Sequence, residues 1–167
     1  MSVSCEIFFI SGIKLLGGYM FFEDYEIGQV FDEEIEDVVF SEEEIIEVSE
    51  KYDPRDIHVD KKAAAQSRFG ELIAPGAYAN LVLWAAWVRT GIDRDGVIAG
   101  TAVLSCKWLR PILANVRYKV KVEIVGKNKR EGKDKGLVDF KMTAENPQGE
   151  IVTEYIAQAL VRSRDNV

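Results

Sequence analysis

The sequence predicts an α+β domain in which a curved antiparallel sheet wraps around one long buried helix. Three observations carry this. The stretch AYANLVLWAAWVRT, residues 77–90, has no charge before Arg89 and is apolar on every face, so as a helix it must be surrounded by other elements. Val116, Tyr118, Val120, Val122 and Ile124 alternate with Arg117, Lys119, Lys121 and Glu123, the period of two of a strand with one buried and one wet face. The strand-like segments TAVLSCKWLRP, GLVDFKMTAE and residues 150–163 adjoin it with no helical pattern between them, joined by KNKREGKDKG and NPQG, which makes the sheet antiparallel.

The remaining elements follow in chain order. Residues 29–40 mix β-branched and aromatic side chains with acids, the pattern of an edge strand. SEEEIIEVSEKY begins with Ser41 as N-cap and Glu44 three residues on, a capping box, with Ile45, Val48 and Tyr52 at helical spacing. That helix ends near Asp53, because Pro54 disfavours the α conformation in the residue before it. Asp60 is placed to cap a second short helix, KKAAAQS, and Gly91 to stop the apolar helix. Residues 150–161 hold few charges, which suits an edge strand paired with or covered by another chain. Cys106 alternates with strand neighbours expected to be buried and reads as an inert core thiol.

A chain of 167 residues, 47% of them hydrophobic, is sized for one packed domain. The net charge of −7 argues against a general nucleic-acid binder. The charge is uneven: residues 1–60 carry 17 acidic and 3 basic side chains, residues 61–167 carry 11 and 18, so an anionic ligand would be steered by the later part. Cys5 and Cys106 have neither disulfide-framework nor zinc-site spacing, which points to a reducing, cytoplasmic compartment. The first residues lack the basic leader of a signal peptide, and the longest apolar run, residues 77–88, falls short of the roughly 20 residues that cross a bilayer. No membrane contact is expected.

The chemistry concentrates in YDPRDIHVD, residues 52–60, which contains the sole histidine. Asp53 closes one helix and His58 lies across a turn imposed by Pro54, so the two can converge on one water from opposite sides. Imidazole ionises near neutral pH, and a carboxylate beside it makes an acid–base pair. From these residues alone the alternative is a solvated polar turn, with Asp56 a turn residue and Asp60 a cap. Gly76, after Pro75, starts the apolar helix, so its N–H is either a donor for a developing oxyanion or an ordinary helix start. The basic run at 127–135 and Arg110 at the end of a strand are candidate phosphate contacts, the former also readable as a solvated hairpin tip.

FFEDYEIGQVF, the capping-box helix, YDPRDIHVD and AAAQSRFGELIAPG together resemble the MaoC-like (R)-specific enoyl-CoA hydratases and dehydratases of the hot-dog fold. The motif is an aspartate, a histidine five residues on, then S-x-FG-x-x-IA-x-G. The resemblance starts near Phe21, which leaves residues 1–19 as an N-terminal extension or upstream start and 20–167 as one hot-dog domain. It implies that Asp53 and His58 hold the attacking water, that the Gly76 N–H receives the thioester carbonyl, and that Ser67, Phe69 and Gly70 support the substrate. The implied reaction is reversible hydration of a trans-2-enoyl-CoA to a 3-hydroxyacyl-CoA. It needs no metal or cofactor, coenzyme A being part of the substrate, and the implied assembly is a homodimer or a set of dimers. Many members carry Asn-Pro where this chain has Arg55 and Asp56, while Tyr52 and Pro54 match a subgroup with Tyr-Asp-Pro-Gln-Pro-x-His. Arg55 is therefore a candidate substrate contact. A non-catalytic acyl-CoA or acyl-carrier binding subunit and an acyl-CoA thioesterase are the other readings of the same fold.

Overall fold

The computed structural model describes residues 20–129 and 134–164, together with the backbone of a short antiparallel pair, β1 (Phe9–Ile10) and β2 (Ile13–Lys14). The rest of the expected N-terminal extension and the tip of the basic loop, residues 130–133, lie outside the described residues.

A six-stranded antiparallel sheet is built from β3 (Val30–Phe31), β4 (Val38–Val39), β5 (Val97–Trp108), β6 (Arg117–Lys129), β7 (Lys135–Glu145) and β8 (Ile151–Arg162). Its order is β3-β6-β7-β8-β5, and β4 pairs with the start of β6. Alternation in β6 and β7 turns Tyr118, Val120, Val122, Ile124, Val138, Phe140, Met142 and Ala144 inward. Register shifts along the β5–β8 ladder bend that end of the sheet. Helix α4 (Gly76–Arg89) lies in the resulting hollow and buries Ala79, Leu83, Ala86 and Trp87. The Trp87 ring packs against Phe31 and Phe140, with centroids 5.0 and 6.2 Å away. This is the α+β hot-dog arrangement, with the sheet left open.

Four expectations are corrected. Residues 29–40 are not one strand: β3 and β4 each pair with β6, separated by a turn in which Ile35 N–H bonds Asp32 O. The strand of residues 151–162 is not an edge, because β8 lies between β7 and β5, and the edge on that side of the sheet is β5. Cys106, on β5, is exposed rather than a core thiol, and accepts from Asn80 Nδ2 at 3.1 Å. Helix α4 is not enclosed all round, since Leu81 is 71% and Val88 49% exposed.

Two polar placements bear on the interior. Trp87 Nε1–H donates to Asp93 Oδ2 at 2.9 Å, and burial raises the Asp93 carboxyl above the ordinary carboxylate range. Lys127, in the basic run, donates to Tyr25 O at 2.6 Å and sits 4.6 Å from the centre of the Phe22 ring. Its charge therefore secures the entry segment to the sheet. No helix among the described residues is long and apolar enough to cross a membrane.

Candidate active site

The segment carrying the dyad is a chain of local hydrogen bonds. Ser41 caps α1 (Glu42–Tyr52), accepting from Glu44 N–H at 3.2 Å. At the other end Asp53 is the C-cap, its N–H bonded to Ser49 O at 2.9 Å. Pro54 ends the helix. The Arg55 N–H then donates to Asp53 O and the Arg55 carbonyl accepts from His58 N–H, each at 2.8 Å. His58 sits within a one-turn helix, α2 (Asp56–Val59), that the spacing did not reveal. Asp60 caps α3 (Lys61–Gln66), accepting from the N–H groups of Lys62 and Ala63. These backbone donors hold the Asp60 carboxyl below its usual range. Asp60 is thus a cap, as expected, and two backbone hydrogen bonds brace the turn between Asp53 and His58.

His58 is 5% exposed, and its Nδ1 lies 2.7 Å from Ile73 O. A carbonyl only accepts, so Nδ1 carries the hydrogen and Nε2 faces the site. The Ile73 carbonyl is itself fixed: Ile73 N–H bonds Ile57 O at 3.2 Å, and Ile73 bridges Leu113. His58 Nε2 is 3.8 Å from Asp53 Oδ2, too long for a direct hydrogen bond. Both atoms can lie about 2.8 Å from one oxygen placed to their side, an ordinary hydrogen-bond distance. The Asp53 side chain is 29% exposed, and on its solvent side Arg55 Nη1 contacts both carboxylate oxygens, Oδ2 at 2.6 Å. Arg55, itself exposed, is thereby paired with the Asp53 carboxylate.

A cavity of about 330 Å³ opens beside His58, walled by Phe69, Ile73, Gly76, Trp108 and Ile112 and rimmed by Arg68 and Arg110. Gly76 is the first residue of α4, so its N–H precedes the first intrahelical donor, Ala79 N–H to Pro75 O. The positive end of the α4 dipole therefore faces the same cavity as the imidazole. A Cβ at position 76 would run into the Trp108 indole, which must shift to admit anything larger than glycine. A larger cavity, about 800 Å³, lies between α4, β8 and β5, walled by Trp84, Val88, Val97, Phe140 and Tyr155. Neither Asp53 nor His58 lines it.

The other sequence candidates divide. Phe69 lines the cavity, but Ser67 and Gly70 do not: Ser67 Oγ donates to Ala64 O and accepts from Phe69 N–H, and Gly70 has a φ of +76°. Both shape the turn after α3 that presents Phe69. Arg110 reaches the rim but its Nη2 is 2.8 Å from Glu150 Oε1, and this pairing holds the Glu150 carboxyl below its usual range. Sequence reasoning missed Arg68, Trp108 and the Ile73 carbonyl as parts of the site. Arg68 sits inside the S-x-FG motif and could have been singled out there. Trp108 and Ile73 arrive through contacts distant in sequence and left no local signal.

The comparisons with known proteins agree with this architecture. The uncharacterized protein YdeM of Bacillus subtilis is 28% identical over 105 residues, 63% of this chain and 73% of that protein. A MaoC-like dehydratase from Rhodospirillum rubrum superposes with a TM-score of 0.78 at 24% identity, covering 87% of this chain and 98% of that one. The R-hydratase PhaJ1 from Pseudomonas aeruginosa superposes with a TM-score of 0.67 at 19% identity, covering 86% of each. The family model for the MaoC-like domain matches residues 25–146, which contain the dyad, Gly76 and the cavity walls, and the chain belongs to that family.

Proposed function

We propose that this chain is a hydratase/dehydratase that adds water reversibly to a trans-2-enoyl thioester of coenzyme A. The carrying observation is the single-tautomer imidazole of His58, its Nε2 turned toward Asp53 at 3.8 Å, in one cavity with the N-terminus of α4. Water held between Asp53 and His58 gives a proton to the pair as its oxygen bonds C3. The C2–C3 π electrons pass toward the thioester oxygen, whose charge meets the Gly76 N–H, and C2 takes a proton from the pair. Proton and electron pairs balance within substrate, water and dyad, so the step asks for no metal or redox cofactor. The R-hydratase and MaoC-like dehydratase relatives support the same reaction class. The test is loss of the enoyl absorbance of crotonyl-CoA on addition of protein. Unchanged absorbance with crotonyl-CoA and with longer and branched enoyl-CoAs overturns it.

Arg55 against Asp53 favours a second reading, a non-catalytic acyl-thioester binding subunit, which calorimetric binding without turnover would reveal. Free thiol released from a saturated acyl-CoA would instead identify a thioesterase.

The working unit we infer is a homodimer paired along β5. That edge leaves Val103, Leu104, Trp108 and Leu109 about half exposed, and Leu81 and Val88 of α4 are exposed as well. An unpaired edge with apolar neighbours is an association surface. Sedimentation should give twice the chain mass for the wild type and a monomer for Leu104→Lys. A monomeric wild type at micromolar concentration removes the dimer.

A further inference from the structure

The two guanidinium groups at the rim of the cavity are not equivalent. Arg110 is paired with Glu150 at 2.8 Å, and Glu150 is held in turn by Asn146 Nδ2 at 3.0 Å. Arg68 is exposed, and among the described residues it has no carboxylate partner. Its guanidinium carbon lies 5.1 Å from the centre of the Phe69 ring, and Phe69 is part of the cavity wall. A guanidinium over an aromatic face keeps its N–H donors free for an oxyanion while the ring restricts its rotamers. The backbone beneath it is fixed as well, by Phe69 N–H to Ser67 Oγ at 3.1 Å and Gly70 N–H to Ser67 O at 3.2 Å.

Position within the cavity indicates which anion this is. His58 is buried and Gly76 half-buried, so the reacting thioester sits inward, while Arg68 stands on the exposed rim. The part of the substrate that crosses the rim toward solvent is the carrier. On coenzyme A the first anionic group beyond the pantetheine arm is a phosphate, whose oxygens match the arginine fork. We propose that Arg68 binds a phosphate of the thioester's carrier and makes this site select phosphorylated pantetheine carriers over phosphate-free ones. The inference rests on the thioester reading above and adds to it the residue that recognises the carrier.

The experiment compares crotonyl-CoA with crotonyl-pantetheine, which has the same acyl group and arm but no phosphate, for the wild type, Arg68→Ala and Arg68→Lys. On crotonyl-CoA, Arg68→Ala should lose about two- to fivefold in kcat/KM, the range of an exposed charge-assisted contact, and the loss should appear in KM. The loss should shrink as salt is raised from low ionic strength to about 0.5 M. Arg68→Lys, with charge but no fork, should recover part of it. The ratio of losses on the two thioesters is the readout. Equal losses on both, or none on crotonyl-CoA, overturns the assignment. If the wild type hydrates neither thioester, the hydratase reading fails, and calorimetry with free coenzyme A then judges Arg68 alone. A weaker Kd for Arg68→Ala sustains the phosphate contact, and an unchanged Kd rejects it.

Discussion

Replacing His58 by asparagine should lower kcat for the proposed crotonyl-CoA hydration by about 10²–10⁴, the usual contribution of a positioned acid–base group, and leave KM near the wild-type value. Asparagine is the informative substitution because its amide nitrogen occupies the place of Nδ1. It can still donate to Ile73 O, the bond that anchors His58 at 2.7 Å, but has nothing at the position of Nε2. The anchor and the chemistry are thereby separated. His58→Ala confounds them, since it strands a buried carbonyl and costs about 1–3 kcal/mol of stability in addition to the activity. For a chain of this size that is a fall in Tm of roughly 2–4 °C per kcal/mol. A His58→Asn protein with a wild-type melting curve and wild-type kcat would remove the imidazole from the mechanism. Asp53→Asn should show the same kinetic signature. There the neutral amide also loses the attraction of Arg55, which contacts both carboxylate oxygens.

The features legible in the sequence are those set by neighbours in the chain. The capping box of Ser41 and Glu44, the Asp60 cap and the break at Pro54 are decided within four residues, and they determine which way Asp53 and His58 enter and leave their turn. The alternation of β6 is equally local, and it identified the buried face before any partner strand was known. Strand order is not local. β8 resembles an edge in composition but lies between β7 and β5, while the exposed edge, β5, carries Cys106 and Trp108 outside the core. The uniformly apolar α4 misled for a related reason. Periodicity reports that a face is apolar and not what covers it, and Leu81 and Val88 are apolar yet exposed. The site divides along the same line. The dyad is contained in one turn, whereas the Ile73 carbonyl that sets the His58 tautomer and the Trp108 ring against Gly76 are brought in by the folded sheet.

Gly76→Pro should reduce kcat by about 10²–10³, the effect of deleting one oxyanion donor, while the protein still folds. The expectation follows from where Gly76 stands. It is the first residue of α4, and proline is favoured at that position because its missing N–H had no intrahelical partner and its φ suits a helix start. The preceding residue, Pro75, has φ −57° and ψ 131°, the extended conformation that a following proline requires. The substitution therefore removes the N–H without asking the backbone to move. Its added bulk meets the Trp108 indole, and Gly76→Ala controls for this by adding a Cβ at the same place while keeping the N–H. The Trp108 indole must shift to admit that Cβ, so activity lost by the alanine variant reports crowding and not loss of the donor. Adding Trp108→Ala to each variant relieves the crowding and should restore the alanine protein but not the proline protein. The difference between the two double variants isolates the donor. If it is less than about threefold in kcat, about 0.65 kcal/mol, the carbonyl is not stabilised at the α4 N-terminus and another group must take the charge.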